Sequence, residues 1–245
     1  MLAASLSLLV MPNHIETGFP AAGQFSGDLK TPAVGNGVAI APKWVLSAAH
    51  AGGGAYFVQG KTRTKIKRRI DHPQADLCIY ELATPLKEFA PILFSEFKKL
   101  KGRELWLVGF GETGEQFDWG FDGRKRTGGK KRSVTNTIDE ERLFDRYSRF
   151  KSQILVYDLD DPAGKTPGSL GSHKATQREG IIGAGDSGSP WFVMEAGKPR
   201  VIGISAYLLG NPKGGNRAFS WGAQGGGVHL YAYKSWLEAT MAGKK

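Results

Sequence analysis

Short apolar runs separated by turn-forming residues recur along most of the chain. The stretch GNGVAIAPKWVLSAAH predicts two strands joined by a turn around Pro42, followed by a short helical turn that carries His50. Further short strands are predicted from the runs AYFVQG, KIKRRIDH, DLCIYELA, ELWLVGFG, SVTNTIDE, SQILVYDLD, PWFVME, RVIGISAYLL and GGGVHLYAY. This pattern favours an all-β fold.

The segments between these runs suggest how the chain is divided. The stretch PLKEFAPILFSEFKKLKGR is a polar connection that contains proline, and it is the best candidate for a linker between domains. We therefore expect an N-terminal domain over residues 15–100 and a C-terminal domain over residues 101–245. Residues 112–133 are rich in Gly, Lys and Arg and predict a long exposed loop or hairpin. The final stretch, YKSWLEATMAGKK, predicts a short amphipathic helix.

Composition narrows the classes of protein. With 245 residues the chain suits one large domain or two small ones that share an interface. Its formal charge of +10 is compatible with an anionic partner or with solubility alone. Neither basic stretch, KTRTKIKRR or GRKRTGGKKR, has the interleaved aromatic residues of a single-strand binder, so we expect no nucleic-acid partner. The single cysteine, Cys78, lies in an apolar run and is expected to be a buried small hydrophobe.

The start of the chain bears on localisation. No apolar run is long enough to span a membrane. The stretch MLAASLSLLVM is apolar but lacks a positive flank and a clean cleavage site, so it reads either as a clipped signal peptide or as a first strand. We expect a secreted or periplasmic protein.

The stretch GAGDSGSPWF holds the candidate nucleophile, Ser187, between two glycines. A serine hydroxyl needs a base to take its proton, and the base needs a partner that fixes its tautomer and stabilises its charge. Of the five histidines only His50 follows an apolar strand and sits among small residues. Asp76 begins an apolar run and is the best shielded acid, whereas Asp71 and Glu81 fit less well.

The segments VLSAAH, DLCIYEL and GDSGSP resemble, in order and rough spacing, the three motif blocks of chymotrypsin-like serine proteases, most closely bacterial members without disulfides. The resemblance implies two packed six-stranded antiparallel β-barrels and a short C-terminal helix. It implies that His50 is the general base, that Asp76 orients it, and that Ser187 attacks the scissile carbonyl. The N–H groups of Gly185 and Ser187 would form the oxyanion hole. This chemistry requires no metal or organic cofactor.

The same resemblance places a specificity pocket beside Ser187. Its base would be Ile181, and its walls would include Tyr207, Leu208 and Gly227. These residues imply an apolar pocket for small or medium apolar side chains. We therefore expect a serine endopeptidase that cleaves protein or peptide substrates after such residues, through an acyl-enzyme.

The family pattern also raises the question of activation. Asp186 resembles the aspartate that pairs with a new N-terminal amine in members activated by cleavage. The nearest candidate for such a terminus, Ile15, is not followed by the usual glycines. We therefore expect that Asp186 is held by another cation or by backbone N–H groups, without an activating cleavage.

Other interpretations remain beside this one. The nucleophile elbow of α/β-hydrolases fits poorly, because Ser189 stands where that motif needs glycine and only His229 follows the serine. A protease-like fold that no longer cleaves and binds anionic partners through its basic surface is the main alternative, and an esterase is a third. The acids Asp158, Asp160 and Asp161 form either a calcium site or a plain polar turn.

Overall fold

A computed structural model describes residues 18–27, 33–125, 128–147, 149–171, 173–213 and 218–243. Most of the regular structure in these ranges is β-strand, which confirms the all-β prediction. The strands are β1 (Ala22–Ser26), β2 (Ala33–Ala41), β3 (Trp44–Ser47), β4 (Tyr56–Gln59), β5 (Thr62–Asp71), β6 (Cys78–Leu82), β7 (Glu104–Gly109), β8 (Thr113–Phe117), β9 (Gly120–Lys125), β10 (Arg132–Thr137), β11 (Glu140–Tyr147), β12 (Phe150–Asp158), β13 (Pro190–Glu195), β14 (Lys198–Gly210) and β15 (Gln224–His229). The same ranges contain two short α-helices, α1 (Phe97–Leu100) and α2 (Lys234–Met241). The apolar start of the chain and Ile15 lie outside the described residues.

The first six strands close into an antiparallel barrel in the order β1-β2-β3-β6-β5-β4. Aromatic side chains fill its interior: the ring centroid of Phe25 lies 5.4 Å from that of Phe57 and 4.4 Å from that of Tyr80. All three side chains are buried. Because a closed barrel has no free strand edge, it forms a rigid frame for the loops at its ends.

Cys78 is buried in this barrel, as predicted. Burial is the main reason that the pKa of its thiol rises to about 12. Since the thiolate is the reactive form, Cys78 is not a nucleophile near neutral pH.

The C-terminal half forms a seven-stranded antiparallel sheet in the order β10-β7-β13-β14-β15-β12-β11. Its centre is occupied by Trp191 and Tyr157, whose ring centroids lie 5.2 Å apart. A Cβ atom on Gly227 of β15 would lie only 2.6 Å from the indole ring of Trp191. Gly227 therefore allows Trp191 to lie directly against the strand.

This sheet differs from the second closed six-stranded barrel that the resemblance implied. It is open and has seven strands, so an arrangement of two packed barrels is not confirmed. The segment predicted as a long loop or hairpin contains the separate two-stranded sheet of β8 and β9. Strands β1 and β11 were not predicted, and the sequence of β11, EERLFDRY, is mostly charged.

The barrel and the sheet pack against one another through a shared apolar cluster that contains side chains of both. The connecting segment lies along this contact: the N–H of Ala90 donates to the carbonyl of Ala39 in the barrel, and that of Leu93 to the carbonyl of Val201 in the sheet, both at 2.9 Å. The candidate linker therefore runs along the contact between barrel and sheet, with Ala90 buried against it. A cleft opens between barrel and sheet, and it holds the candidate site.

Candidate active site

His50 lies on a single 3₁₀ turn, Ala49–Ala51, that follows β3. The next residue, Gly52, has a φ of 74°, a backbone conformation that glycine adopts without strain. The hydroxyl of Tyr80 donates to the carbonyl of Gly52 at 2.7 Å and ties this turn to the barrel. The imidazole side chain remains 35% exposed, so it faces the cleft from a fixed backbone.

Asp76 precedes β6 and is 1% exposed. Its Oδ1 accepts the backbone N–H of His50 at 2.8 Å, and its Oδ2 lies 2.6 Å from His50 Nδ1. With the Nδ1 proton donated to the carboxylate, Nε2 is left as the acceptor. The other candidates, Asp71 and Glu81, form ion pairs with basic side chains of β5.

Ser187 completes the cluster from the turn before β13. Its Oγ lies 2.8 Å from His50 Nε2. The structure thus brings His50, Asp76 and Ser187 together in the order alcohol, imidazole, carboxylate. In this geometry the ring can remove the hydroxyl proton while the buried carboxylate stabilises the resulting positive charge.

The two backbone N–H groups expected to form an oxyanion hole belong to Gly185 and Ser187, which both line the cleft. The carbonyl of Ala184 accepts from the N–H of Glu112 at 3.0 Å, and the carbonyl of Asp186 accepts from the N–H of Ser189 at 2.9 Å. In a trans peptide the N–H points away from the carbonyl of the same peptide unit. The Gly185 N–H therefore points away from Glu112, and the Ser187 N–H points away from the N–H of Ser189. Within the described part of the chain neither N–H group donates a hydrogen bond. Gly185 has a φ of 86°, which this turn requires.

Asn36 of β2 fixes the same turn from the barrel side. Its side-chain Nδ2 donates to the carbonyl of Gly185 at 2.6 Å and to that of Ser187 at 3.2 Å. Its backbone N–H also donates to the Ser187 carbonyl, at 3.2 Å. Asn36 was not among the site residues predicted from the sequence, although an asparagine within an apolar strand was a usable signal. Its bonds connect the barrel to the turn that carries the nucleophile.

Asp186 is held by backbone N–H groups. Its Oδ1 accepts from Gly111 at 2.8 Å and from Phe110 at 3.2 Å, and its Oδ2 accepts from Gly183 at 3.1 Å. Burial raises the pKa of this carboxyl to about 6, against the lowering effect of the three backbone bonds and of the Arg132 charge. The carboxylate is thus bonded in the way expected for a chain that needs no new N-terminal amine.

Two cavities meet at Ser187. The first, of about 290 Å³, is lined mainly by apolar side chains, among them Ile182, Leu208 and Phe219. The second, of about 610 Å³, extends past His50 and is also lined by Asn36 of the barrel, by Glu112 and by several glycines. Because the imidazole lines only the second cavity, the second is the side on which a leaving group could receive a proton from His50.

The cavity beside Ser187 only partly matches the predicted pocket. Tyr207 and Leu208 line it, as expected from the resemblance. Ile181 does not line it; this side chain is 0% exposed and packs in the core of the sheet, and its neighbour Ile182 takes its place. Gly227 also does not line the cavity, because it lies against Trp191. A one-residue difference along an extended segment turns a side chain to the other face, which accounts for Ile181.

Among the acids considered for calcium, Asp161 forms a polar turn. Its carboxylate accepts the N–H groups of Ala163, Lys165 and Thr166 at 2.8–3.0 Å. Over the described ranges, no group of three or more His, Cys, Asp or Glu side chains is arranged to hold a metal ion. Nor do those ranges contain a helix of the length and apolarity needed to cross a membrane.

Comparison with known proteins adds no relative: no family model matches the chain, and no curated protein matches it.

Proposed function

We propose that this chain is a serine endopeptidase that hydrolyses peptide bonds through an acyl-enzyme. The observation that carries the proposal is the imidazole of His50, which bridges the Ser187 hydroxyl at 2.8 Å and the buried Asp76 carboxylate at 2.6 Å. The resemblance of the three sequence blocks to chymotrypsin-like proteases supports the same conclusion.

The proposed reaction assigns each group one role. Ser187 Oγ attacks the carbonyl carbon of the substrate as its proton passes to His50 Nε2, and Asp76 stabilises the imidazolium. The N–H groups of Gly185 and Ser187 bind the oxyanion; losing one such donor typically costs about 3 kcal/mol of transition-state stabilisation. His50 then protonates the leaving amine as the C–N bond breaks. A water molecule, deprotonated by the same ring, hydrolyses the acyl-enzyme and restores the serine.

We also propose that the C-terminal sheet curves into a second barrel that packs against the first. One contact is favourable to it: Asn136 of β10, at one edge of the open sheet, donates to the carbonyl of Asp158 at the end of β12 at 2.9 Å. This bond brings one edge of the sheet close to the strand beside the opposite edge. A strongly curved sheet of this kind approaches a closed barrel.

The apolar cavity supports a preference for small or medium apolar residues on the acyl side of the cleaved bond. Its volume is about 290 Å³, and Leu208 is one of its lining residues. The one carboxylate in its lining, Asp186, is bonded to three backbone N–H groups. A lysine or arginine side chain would therefore meet no free counter-charge among the described lining residues.

Labelling with a fluorophosphonate probe tests the proposal. An activated serine attacks the phosphorus and displaces fluoride, which leaves a covalent adduct. The expected result is an adduct on the peptide that contains Ser187, no adduct in Ser187→Ala, and a retained adduct in the control Ser189→Ala. Ser189 lies two residues away and is buried, so this control removes a neighbouring hydroxyl that the probe does not reach. A well-folded wild-type protein without label would contradict the proposal.

The same samples separate the alternatives. Label together with hydrolysis of esters but not of peptides favours an esterase. Absence of label favours a protease-like binding module with a basic surface. Part of that surface is already neutralised, because Lys67 and Arg68 of β5 both pair with Glu81 at 2.8 and 2.6 Å.

A further inference from the structure

The larger cavity beside Ser187, of about 610 Å³ and on the leaving-group side of His50, contains one acidic residue. Of the described residues that line it, only Glu112 has a carboxylate, and none is a lysine or an arginine. Glu112 directly precedes β8, and its backbone N–H donates to the carbonyl of Ala184 at 3.0 Å. A Cβ atom on Gly185 would lie 4.0 Å from the same nitrogen. Glu112 is thus held beside the turn that carries the nucleophile.

The Glu112 side chain is half-buried, and within the described part of the chain its carboxylate makes no hydrogen bond or ion pair. The other acid near the nucleophile, Asp186, differs in this respect, because it accepts three backbone N–H groups. The guanidinium of Arg132 lies 3.4 Å from the Gly111 carbonyl oxygen, but it is 4% exposed and its charge acts on the buried Asp186. Glu112 is therefore available to a cation that enters the larger cavity.

We propose that Glu112 is a specificity-determining residue that favours substrates with lysine or arginine shortly after the cleaved bond. This inference rests on the proposed endopeptidase activity. Successive side chains of an extended peptide point to opposite sides, so we expect the preference at one of the first two residues of the leaving peptide. The chain as a whole carries a formal charge of +10 and repels a basic substrate. The preference therefore has to come from this local carboxylate.

Matched peptides test this preference. The peptides share one acyl side and carry either lysine or the uncharged norleucine at the first or the second residue of the leaving side. At one of these positions the wild-type protein should cleave the lysine peptide with a kcat/KM about fivefold higher. The ratio should fall close to unity in Glu112→Gln, and it should fall below unity in Glu112→Lys. In about 1 M salt, where charges are screened within about 3 Å, the wild-type ratio should also fall.

Two controls separate a local charge from a general effect. Glu96→Gln makes the same change of charge at a separate cavity, lined with Glu96 by Phe97 and Tyr231, and should keep the wild-type ratio. An ester with the same acyl group and a small alcohol as leaving group has no side chain that could reach Glu112. Its kcat/KM should stay within about twofold in Glu112→Gln, whereas a damaged active site would lower it together with that of the peptides.

Equal kcat/KM for the lysine and norleucine peptides, or a preference for lysine that persists in Glu112→Gln, would overturn the inference. If the wild-type protein cleaves neither peptide, the proposed function fails, and binding decides on Glu112 instead. Fluorescence anisotropy then measures binding of the same labelled peptides to Ser187→Ala. Binding that is about fivefold tighter with lysine, and that loses this difference when Glu112→Gln is added, supports the inference. Equal or undetectable binding of the two peptides overturns it.

Discussion

Substitution of Asp160 by asparagine is expected to raise the stability of the folded chain at pH 8. Asp160 is 5% exposed, and within the described ranges its Oδ1 has no hydrogen-bond partner. Burial, and then the neighbouring Asp158 carboxylate, raise the pKa of Asp160 to about 6. Asparagine has the same shape and no charge, so it removes the penalty of ionising this group in the folded state.

The magnitude follows from the difference between the two states. A native pKa of about 6 against 3.8 in the unfolded chain corresponds to about 3 kcal/mol at pH 8. The unfolded chain releases its proton first, so stability is lost as pH rises through the native value. At pH 5 about half of the penalty is present. The gain from Asp160→Asn should therefore be larger at pH 8 than at pH 5 by about 1.4 kcal/mol, whatever the amide itself costs to bury.

Urea unfolding at pH 5 and pH 8 measures this difference, in a Ser187→Ala background that prevents self-digestion and after treatment with chelator. The adjacent Asp161→Asn is the matched control. Its carboxylate accepts three backbone N–H groups, so its loss should destabilise the chain at both pH values by about 1–3 kcal/mol. The two neighbouring substitutions are thus expected to have opposite signs at pH 8.

Two results would refute this reasoning. One is a stability change for Asp160→Asn that is the same at pH 5 and pH 8, since Asp160 would then carry no ionisation penalty. The other is stabilisation of the parent by calcium that Asp160→Asn abolishes, since a bound cation would supply the missing partner of the carboxylate.

Three further predictions concern the cleft. Gly188→Ala should cost about 2–4 kcal/mol in urea unfolding, since Gly188 has a φ of 80° and its Cβ would lie 2.3 Å from a backbone carbonyl oxygen; Gly197→Ala, with a φ of 74° and open space, should cost about 1 kcal/mol. Asp186→Asn should lower kcat at least about tenfold. N-terminal sequencing of the fully active wild-type protein should show no cleavage at Ile15. Leu208→Gly should extend cleavage of a peptide library to larger apolar residues.

The local pattern of the sequence predicted most strands but not how the C-terminal strands pair. Strand β1 contains a single large apolar side chain, Phe25, and becomes a strand by pairing with both β2 and β4. Strand β11 is mostly charged and is held by its pairing with β12. Both pairings depend on distant partners, which no short window of sequence contains. The curvature of the second sheet likewise does not follow from strand periodicity.

The candidate site was likewise predicted from local sequence only in part. His50, Asp76 and Ser187 each lie in a short distinctive segment, so their selection needed only local sequence. The face of an extended segment on which a side chain lies is harder to predict, because a shift of one residue moves the side chain to the other face. Here Ile182, not Ile181, lines the cavity. Ser152, whose Oγ accepts the Asp76 N–H at 3.0 Å, could not be predicted as part of the site, because this contact exists only when β12 lies beside Asp76.

The contacts across the cleft explain why the site forms only in the assembled fold. His50 and Asp76 belong to the barrel and Ser187 to the sheet, and the apolar cluster between them has no directional preference of its own. Orientation comes from a few polar bonds that cross the contact: Asn36 to the Gly185 carbonyl at 2.6 Å, and the Asp76 amide to Ser152 at 3.0 Å. Apolar burial supplies most of the free energy of docking, while these bonds select one register. A substitution that removes one of these bonds should therefore misalign Ser187 and His50, while the apolar contact keeps most of the stability of the chain.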